Sequence, residues 1–428
     1  MSCKSTRFAR PAPPPTKPMP LRILHVFRPV DSDVGRSIEA VCELSRAQRQ
    51  FGHVVEIATL GRPIGTKLDE LEVKIHVLGK GLGSYGFDAH FVDWMRDNAG
   101  TFDCAIVHGI WDFCALGTWW ALRDTNVPYF IFTHGSLDPW FKASQPIRHL
   151  LRWLYWPWGA YPVLRDAHAV FFLSDGERHS ARQAFWLYDC HEFVVRSGTQ
   201  GIPSALVEDA ADVFLAAHPE LEGKKLFTVF TDNNAIDVID SLTRAIEVLS
   251  KRGIWNAGFM RLAIAGPADR ALKDAVLRYV ESRGLGGSVH WTGNLNEQEK
   301  WGLLRASDVF LRLGPYEICS DRVAQSLSAG TPVLVSTGVA AWKDIVNDGA
   351  GLAEDATREG CVRMLESWIA LSVDEQSAVR IKSRECFEDR YTIVGAAHTL
   401  TSAIYLFVGV HRDGRWDLRP LKPASELL

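Results

Sequence analysis

At 428 residues and 47.8 kDa the chain is too long for one ordinary hydrophobic core, so two domains of roughly 200 residues each are expected. A composition of 47% hydrophobic and 23% charged residues, with a mean hydropathy of −0.04, excludes extensive disorder. With 47 Lys and Arg against 51 Asp and Glu, the formal charge of −4 excludes a global basic field, and no nucleic-acid partner is expected.

Residues 1–20 hold six prolines and four Lys or Arg without an apolar segment, which predicts a disordered leader outside the fold. From Leu21 to about Gly201, β-rich runs alternate with segments of helical period, among them Ser37–Phe51 and Phe91–Asn98. The runs LRILHVF, HVVEIATL, VKIHVL, CAIVHGIW, YFIFTHG, AVFFLS and EFVVRS are almost continuously apolar, as strands buried on both faces of a parallel sheet must be. A helical stretch over 204–221 follows, and alternation restarts with KKLFTVFT, RLAIAG, SVHWTG, DVFLRLG and TPVLVS. The segment 374–410 reads as helix throughout, turning back toward the first half. The expected units are 21–203, 204–405 and a tail from 406 to 428, the first two being doubly wound α/β domains that face each other across a cleft.

No apolar run reaches the roughly 18 residues of a membrane span. The eight cysteines are scattered and form no CxxC pair, so buried, reduced thiols are expected in place of a disulfide or zinc framework. Gly81, Gly83 and Gly86 spell a GxGxxG, but after the third strand and not the first, so a glycine-rich surface loop is the better reading than a dinucleotide site. Ile147–Ala167 combines three tryptophans and two tyrosines with Arg148, His149 and Arg152. Two readings are open for it: a helix packing its aromatics into the core, or a surface for membrane or sugar contact.

The richest signal runs from Ser307 to Ser336, SDVFLRLGPYEICSDRVAQSLSAGTPVLVS: strand, acid-bearing loop, helix, Gly-Thr-Pro and strand again. It resembles the donor-site signature of the family 4 glycosyltransferases. Glu317 stands at the family's first acid, Ser320 at its glycine and Gln325 at its second acid, while Gly330, Pro332 and Val333 match the motif's ending. The resemblance extends from about Leu21 to Leu406. Gly35 sits in the position of the first glycine loop, Thr133-His134-Gly135 at the active-site histidine, and Ser174 and Glu177 in a late strand-to-helix segment.

This resemblance implies a GT-B fold of two Rossmann-like domains and a transferase that takes a nucleotide-diphosphate sugar as donor and needs no metal or other cofactor. The acceptor would be a glycan or lipid-linked intermediate in surface polysaccharide synthesis, and retention of configuration is implied. The implied location is the cytoplasm, at or near its membrane face. His134 would position the transferring sugar, Glu317 and Gln325 would take sugar and ribose hydroxyls, and Ser320 and Asp321 would lie beside the diphosphate. Asp138 is open to two readings, acceptor contact or turn residue.

One departure matters. The family places an Arg and a Lys after the first strand of the second domain to hold the leaving diphosphate, whereas Leu226–Ser241 contains no basic residue and Asn233 or Asn234 stands near the lysine position. Asp321 adds a carboxylate to the first turn of the donor helix. Arg312, Arg322 and Lys343 are the candidate replacement cations. An active transferase and an impaired one that serves as scaffold or regulator of a partner transferase are therefore both open.

Overall fold

Apolar runs rich in Val, Ile and Phe, each closed by a turn residue, become parallel strands because the helices between them cover both sheet faces. The computed structural model describes residues 20–29, 35–61, 73–231, 235–266, 270–314 and 321–412. The expected leader lies, apart from Pro20, outside the described residues, as do Glu317, Ser320, Asn233 and Asn234.

The first half contains β1 Arg22–Phe27, α1 Gly35–Gln50, β2 Val54–Thr59, β3 Lys74–Val77, α2 Ala89–Asn98, β4 Cys104–His108, α3 Phe113–Leu122 and β5 Tyr129–Phe132. It continues with α4 Trp140–Ser144, α5 Pro146–Tyr155, a π-turn at Trp156–Ala160, α6 Tyr161–Arg165, β6 Ala169–Phe172, α7 Asp175–Ala181 and β7 Glu192–Val194. All seven expected strands are present and pair in parallel, in the order β3-β2-β1-β4-β5-β6-β7.

The second half runs α8 Ala210–Ala217, β8 Lys225–Phe230, α9 Ala235–Lys251, β9 Met260–Ala265, α10 Arg270–Ser282, β10 Val289–Gly293, α11 Glu297–Ala306 and β11 Val309–Arg312. Then follow α12 Asp321–Ser328, β12 Val333–Ser336, α13 Trp342–Asn347, β13 Gly351–Glu354, α14 Arg358–Ala370, α15 Val373–Arg390 and α16 Ile393–Arg412. Its sheet is also parallel, ordered β10-β9-β8-β11-β12-β13. In both sheets the winding direction reverses beside the first strand, between β1 and β4 and between β8 and β11, and open α/β sheets bind ligands outside the carboxyl ends at such points.

Three local expectations are corrected. Strand β13 was not expected, since Gly351-Leu352-Ala353-Glu354 has no β-branched residue; it forms because Gly351 lets the Val333 carbonyl approach to where a Cβ would be 1.8 Å away. The 374–410 segment is two helices, broken where Thr392 forms a parallel bridge to Thr199. The aromatic segment Ile147–Ala167 does not form a buried helix: α5 has no buried residue, and the core takes Trp156, Val163 and Leu164 from the turn and helix after it.

Sheet alternation divides the first half's core. Leu24, Val26 and Val107 face α2, α3 and Trp156, whereas Ile23, Ile106, Phe130 and Phe132 face Leu44 and Ala47 of α1 together with Ala397, Leu400 and Ile404 of α16. The chain's last described helix thus completes the core of its first sheet, with Val408 still buried. Two crossings join the halves, and they touch: Thr199 N–H donates to Tyr391 O at 2.9 Å and Ile393 N–H to Thr199 O at 3.0 Å. Cys42, Cys104, Cys114, Cys361 and Cys386 are buried free thiols and Cys190 is half-buried; Cys3 and Cys319 lie outside the described residues.

Candidate functional site

The strand alternation that sends Ile23 toward α1 sends His25 there too, and His108, the last residue of β4, shares that face one strand away. His25 Nδ1 lies 2.8 Å from His108 Nε2, across the switch point of the first sheet. His108 Nδ1 in turn lies 2.9 Å from His134 Nε2, in the turn after β5, and His25 Nε2 lies 2.9 Å from Gln48 Oε1 on α1. The rings stack at centroid distances of 5.1 and 5.2 Å.

Burial lowers His25 to about 4 and His134 to about 4, and lowers His108 well below its ordinary value, with its two histidine neighbours adding to the effect. The chain is therefore neutral at physiological pH, with one proton per ring. A neutral imidazole donates from one nitrogen and accepts at the other, so every bond in the chain must run in the same direction. With Gln48 Oε1 as the terminal acceptor, His25, His108 and His134 each carry the proton on Nε2. His134 Nδ1 is left as an acceptor.

The turn that carries His134 is held in a conformation side chains avoid. His134 has φ +45°, the only positive φ outside glycine among the described residues, and Gly135 follows at +71°. The brace is Glu177, a buried carboxylate on α7, which accepts from Thr133 Oγ1 at 2.6 Å, Gly135 N–H at 2.5 Å and Leu173 N–H at 2.6 Å. Ser174 caps α7 by accepting from Glu177 N–H. Burial raises the Glu177 carboxyl, opposed by the Thr133 hydroxyl and the Leu173 and Gly135 amides. From β4's side, Trp111 Nε1–H donates to Ser136 O at 2.9 Å.

Other expected residues take plainer positions. Asp138 Oδ1 accepts from Trp140 N–H at 2.8 Å, which is turn geometry. Gly35 is the first residue of α1. Gly81, Gly83 and Gly86 all have positive φ, and Arg28, just past β1, donates to the carbonyls of Ser84 and Gly83, so the loop is tied down by side-chain and backbone packing. Asp112, which sequence reasoning missed, caps α3 by accepting from Cys114 N–H and is raised by burial to about 6.

In the second half the switch point lies between Phe230, which ends β8, and Arg312, which ends β11. The Arg322 guanidinium, on the first turn of α12, stacks 5.4 Å from the Phe230 ring centroid and donates to Gln325 Oε1 at 3.1 Å. Of the three expected cations, Arg322 thus lies against the last residue of β8, and Arg312 ends the strand paired beside it. Lys343 lies one strand further on, exposed on α13 beside the Trp342 ring. Asp321 is the first residue of α12. Arg196, at the first crossing, spans the halves, 3.2 Å from Asp344 on α13 and 4.0 Å from Asp175 on α7.

Among the described residues, one group could hold a metal: His218, Glu220 and His290, toward the amino end of edge strand β10 and far from both switch points along their strands. His218 and His290 lie 3.5 and 3.2 Å from Glu220, and Arg261 and Lys273 add positive charge at His290, which disfavours a cation there.

The His25 and His108 signal was in the sequence as single histidines near the ends of apolar strands. What made them a site is strand order, which sets β1, β4 and β5 side by side.

Residues 38–189 match the family described as Glycosyl transferase 4-like domain, and residues 238–384 match Glycosyl transferases group 1, together more than two thirds of the chain. No curated protein sequence matches. Among solved structures, the chain is similar to a glycosyltransferase from Rickettsia africae at TM-score 0.68 and 12% identity, covering 91% of this chain and 99% of that one. It is similar to Anabaena Alr3699/HepE in complex with UDP and glucose at TM-score 0.67 and 12% identity, covering 90% and 100%. A third similar structure is WaaG, a glycosyltransferase involved in lipopolysaccharide biosynthesis, at TM-score 0.58 and 14% identity, covering 91% and 100%.

Proposed function

Because the chain belongs to the group 1 glycosyltransferases, with a glycosyltransferase 4-like first half, we propose that it moves a sugar from a nucleoside diphosphate to a hydroxyl of a glycan or lipid-linked acceptor. In this reading residues 21–203 take the acceptor side and 204–405 the nucleotide sugar, transfer retains configuration, and the reaction serves surface polysaccharide synthesis in the cytoplasm, at the membrane face. No metal or other cofactor is invoked. The UDP held by the Anabaena relative supports a nucleotide-sugar donor.

The observation that carries this reading is the strained, braced His134 at the carboxyl end of β5. Backbone strain on a non-glycine residue persists only where its surroundings over-determine it, and here a buried carboxylate and a three-histidine chain do so. Its free Nδ1 accepts a hydrogen bond from a hydroxyl of the transferring sugar, fixing the anomeric carbon for attack. As the bond from that carbon to the phosphate oxygen breaks and the bond to the acceptor oxygen forms, the acceptor proton passes to the departing phosphate. Arg322 and Arg312, with the amino end of α12, offset the charge that develops there. Glu317, Ser320 and Gln325 take the sugar, diphosphate and ribose.

The second reading, an impaired transferase acting as scaffold for an active one, is favoured by one feature: Arg322 is already engaged with Gln325 and Phe230, and Asp321 precedes it.

A thermal-shift series with UDP, GDP and ADP and their sugar conjugates separates the two. Stabilisation by one nucleotide is expected, on the order of 2.7 kcal/mol at a hundredfold excess over Kd. Arg322→Ala should weaken that nucleotide about tenfold, Glu317→Ala should remove the preference for its sugar conjugate, and His134→Ala should leave nucleotide affinity unchanged while lowering kcat about a hundredfold. If no nucleotide binds at millimolar concentration, the transferase reading fails and a search for partner proteins follows.

A further inference from the structure

Helix α5 is amphipathic the wrong way round for a protein surrounded only by water. Ile147, Leu150, Leu151 and Leu154 recur at the spacing of one helical face, yet they are 78%, 58%, 62% and 56% exposed. The half-buried side of the helix instead carries His149, Arg152 and Tyr155, with Arg152 stacked on Trp111 and Phe141. Just beyond the helix, the π-turn buries Trp156 and turns Trp158 outward, 82% exposed. Trp153 and Trp186 widen the apolar face, their ring centroids 6.5 Å apart, beside a cavity of about 580 Å³ that Leu150 and Lys142 also line. Soluble monomers rarely expose a contiguous apolar patch of this kind without a use for it.

Charge identifies the occupant. Residues 139–165 contain Lys142, Arg148, Arg152 and Arg165 and no Asp or Glu. Lys142 and Arg148 are exposed beside the stripe without a carboxylate partner among the described residues, whereas Arg165 is paired to Asp166. A second copy of the chain would bring the same cations face to face. We propose that α5 lies flat on an anionic membrane surface, with the Ile147–Leu150–Leu151–Leu154 stripe and Trp158 entering the headgroup boundary and Lys142 and Arg148 against lipid phosphates. Tryptophan and aliphatic side chains on one face with Lys and Arg around them are the composition of an interfacial helix. No helix among the described residues is long and apolar enough to cross a membrane, so the contact is peripheral. The inference is independent of the donor and of the reaction.

The test is co-sedimentation of the full chain with vesicles of phosphatidylcholine alone or with about 30 mol% phosphatidylglycerol, at low salt and at about 0.5 M salt. Wild type should pellet with the anionic vesicles and be released by salt at least partly. Leu150→Glu/Leu154→Glu should lower the bound fraction at least tenfold, and Lys142→Glu/Arg148→Glu at least threefold. All four positions are exposed, so unchanged thermal midpoints should accompany both losses. Brominated lipid should quench wild type more than Trp158→Phe. The proposal is overturned if wild type stays in the supernatant with anionic vesicles, if the leucine variant binds as wild type does, or if light scattering shows a dimer that the leucine variant dissolves.

Discussion

The two switch points are built by opposite means. In the first half, positioning comes from buried, long-range hydrogen bonds: a neutral chain from Gln48 through His25 and His108 to His134, with the Glu177 carboxylate bracing the turn. In the second half it comes from charged side chains on helix starts and strand ends, where Arg322 lies over Phe230 beside Arg312. Neutral buried groups fix geometry to fractions of an ångström and respond to protons. Partly exposed cations offer charge to an anion, the role proposed for Arg322 and Arg312, and respond to salt.

The sharpest break of that contrast is acid. His25 and His134 stay unprotonated in the folded chain until the pH reaches about 4, whereas in the unfolded chain each takes up a proton near 6.5. Their contribution is complete above pH 6.5 and is lost as the pH falls from 6.5 to 4, about 3 kcal/mol for each group. Asp112 works in the opposite sense: raised to about 6, it holds its proton in the folded chain while the unfolded one has lost it, so stability is regained as the pH falls from about 6 toward 4. That offsets about 3 kcal/mol. Because His108 is lowered in the same sense, chemical unfolding at pH 7 and pH 4 should show a net loss from these groups of at least about 3 kcal/mol, and Asp112→Asn should deepen it by about 3 kcal/mol. Equal unfolding midpoints at the two pH values would show that the histidine chain is not buried as described.

A smaller effect isolates the brace from the chain. Glu177→Gln keeps the shape but turns one accepting oxygen into an NH2 group, which then faces either Leu173 N–H, at the Oε2 position, or Thr133 Oγ1 and Gly135 N–H, at the Oε1 position. A loss of about 2 kcal/mol is expected at pH 7 from the mismatched donors. Because the strained turn relaxes, kcat should fall with it. A variant that loses stability but keeps kcat would assign Glu177 to the fold alone.

Much of this was legible in the sequence, for a physical reason in each case. Strands buried on both faces announce themselves as apolar runs, so the seven strands of the first sheet and five of the six in the second were readable; β13 was not, because its pairing depends on Gly351 making room for the Val333 carbonyl. Thr133-His134-Gly135 was readable as a motif, but its partners His25 and His108 were not, since only the strand order sets β1, β4 and β5 side by side. The exposure of α5 was hidden for the complementary reason: an amphipathic stripe has the same spacing whether it faces a core or a bilayer.

The smallest effect concerns the joint between the two regions. Arg196 reaches Asp344 in the second half at 3.2 Å and Asp175 in the first at 4.0 Å, while Asp344 also lies 3.5 Å from Arg390, itself paired to Asp348. Arg196 is about one-third exposed, so screening holds its share of stability to about 1 kcal/mol or less. Its larger consequence is geometric, because a contact that spans both halves biases how far they open, and in the proposed function the donor reaches His134 from the other half. Arg196→Ala should leave the unfolding midpoint nearly unchanged, raise the donor KM about threefold, which is about 0.7 kcal/mol, and broaden the solution-scattering profile of the ligand-free protein. Saturating nucleotide sugar should then restore the wild-type profile, because donor contacts across the cleft replace the lost ion pair. A scattering profile and KM both identical to wild type would mean that the paired crossings at Thr199 and Thr392 set the opening by themselves.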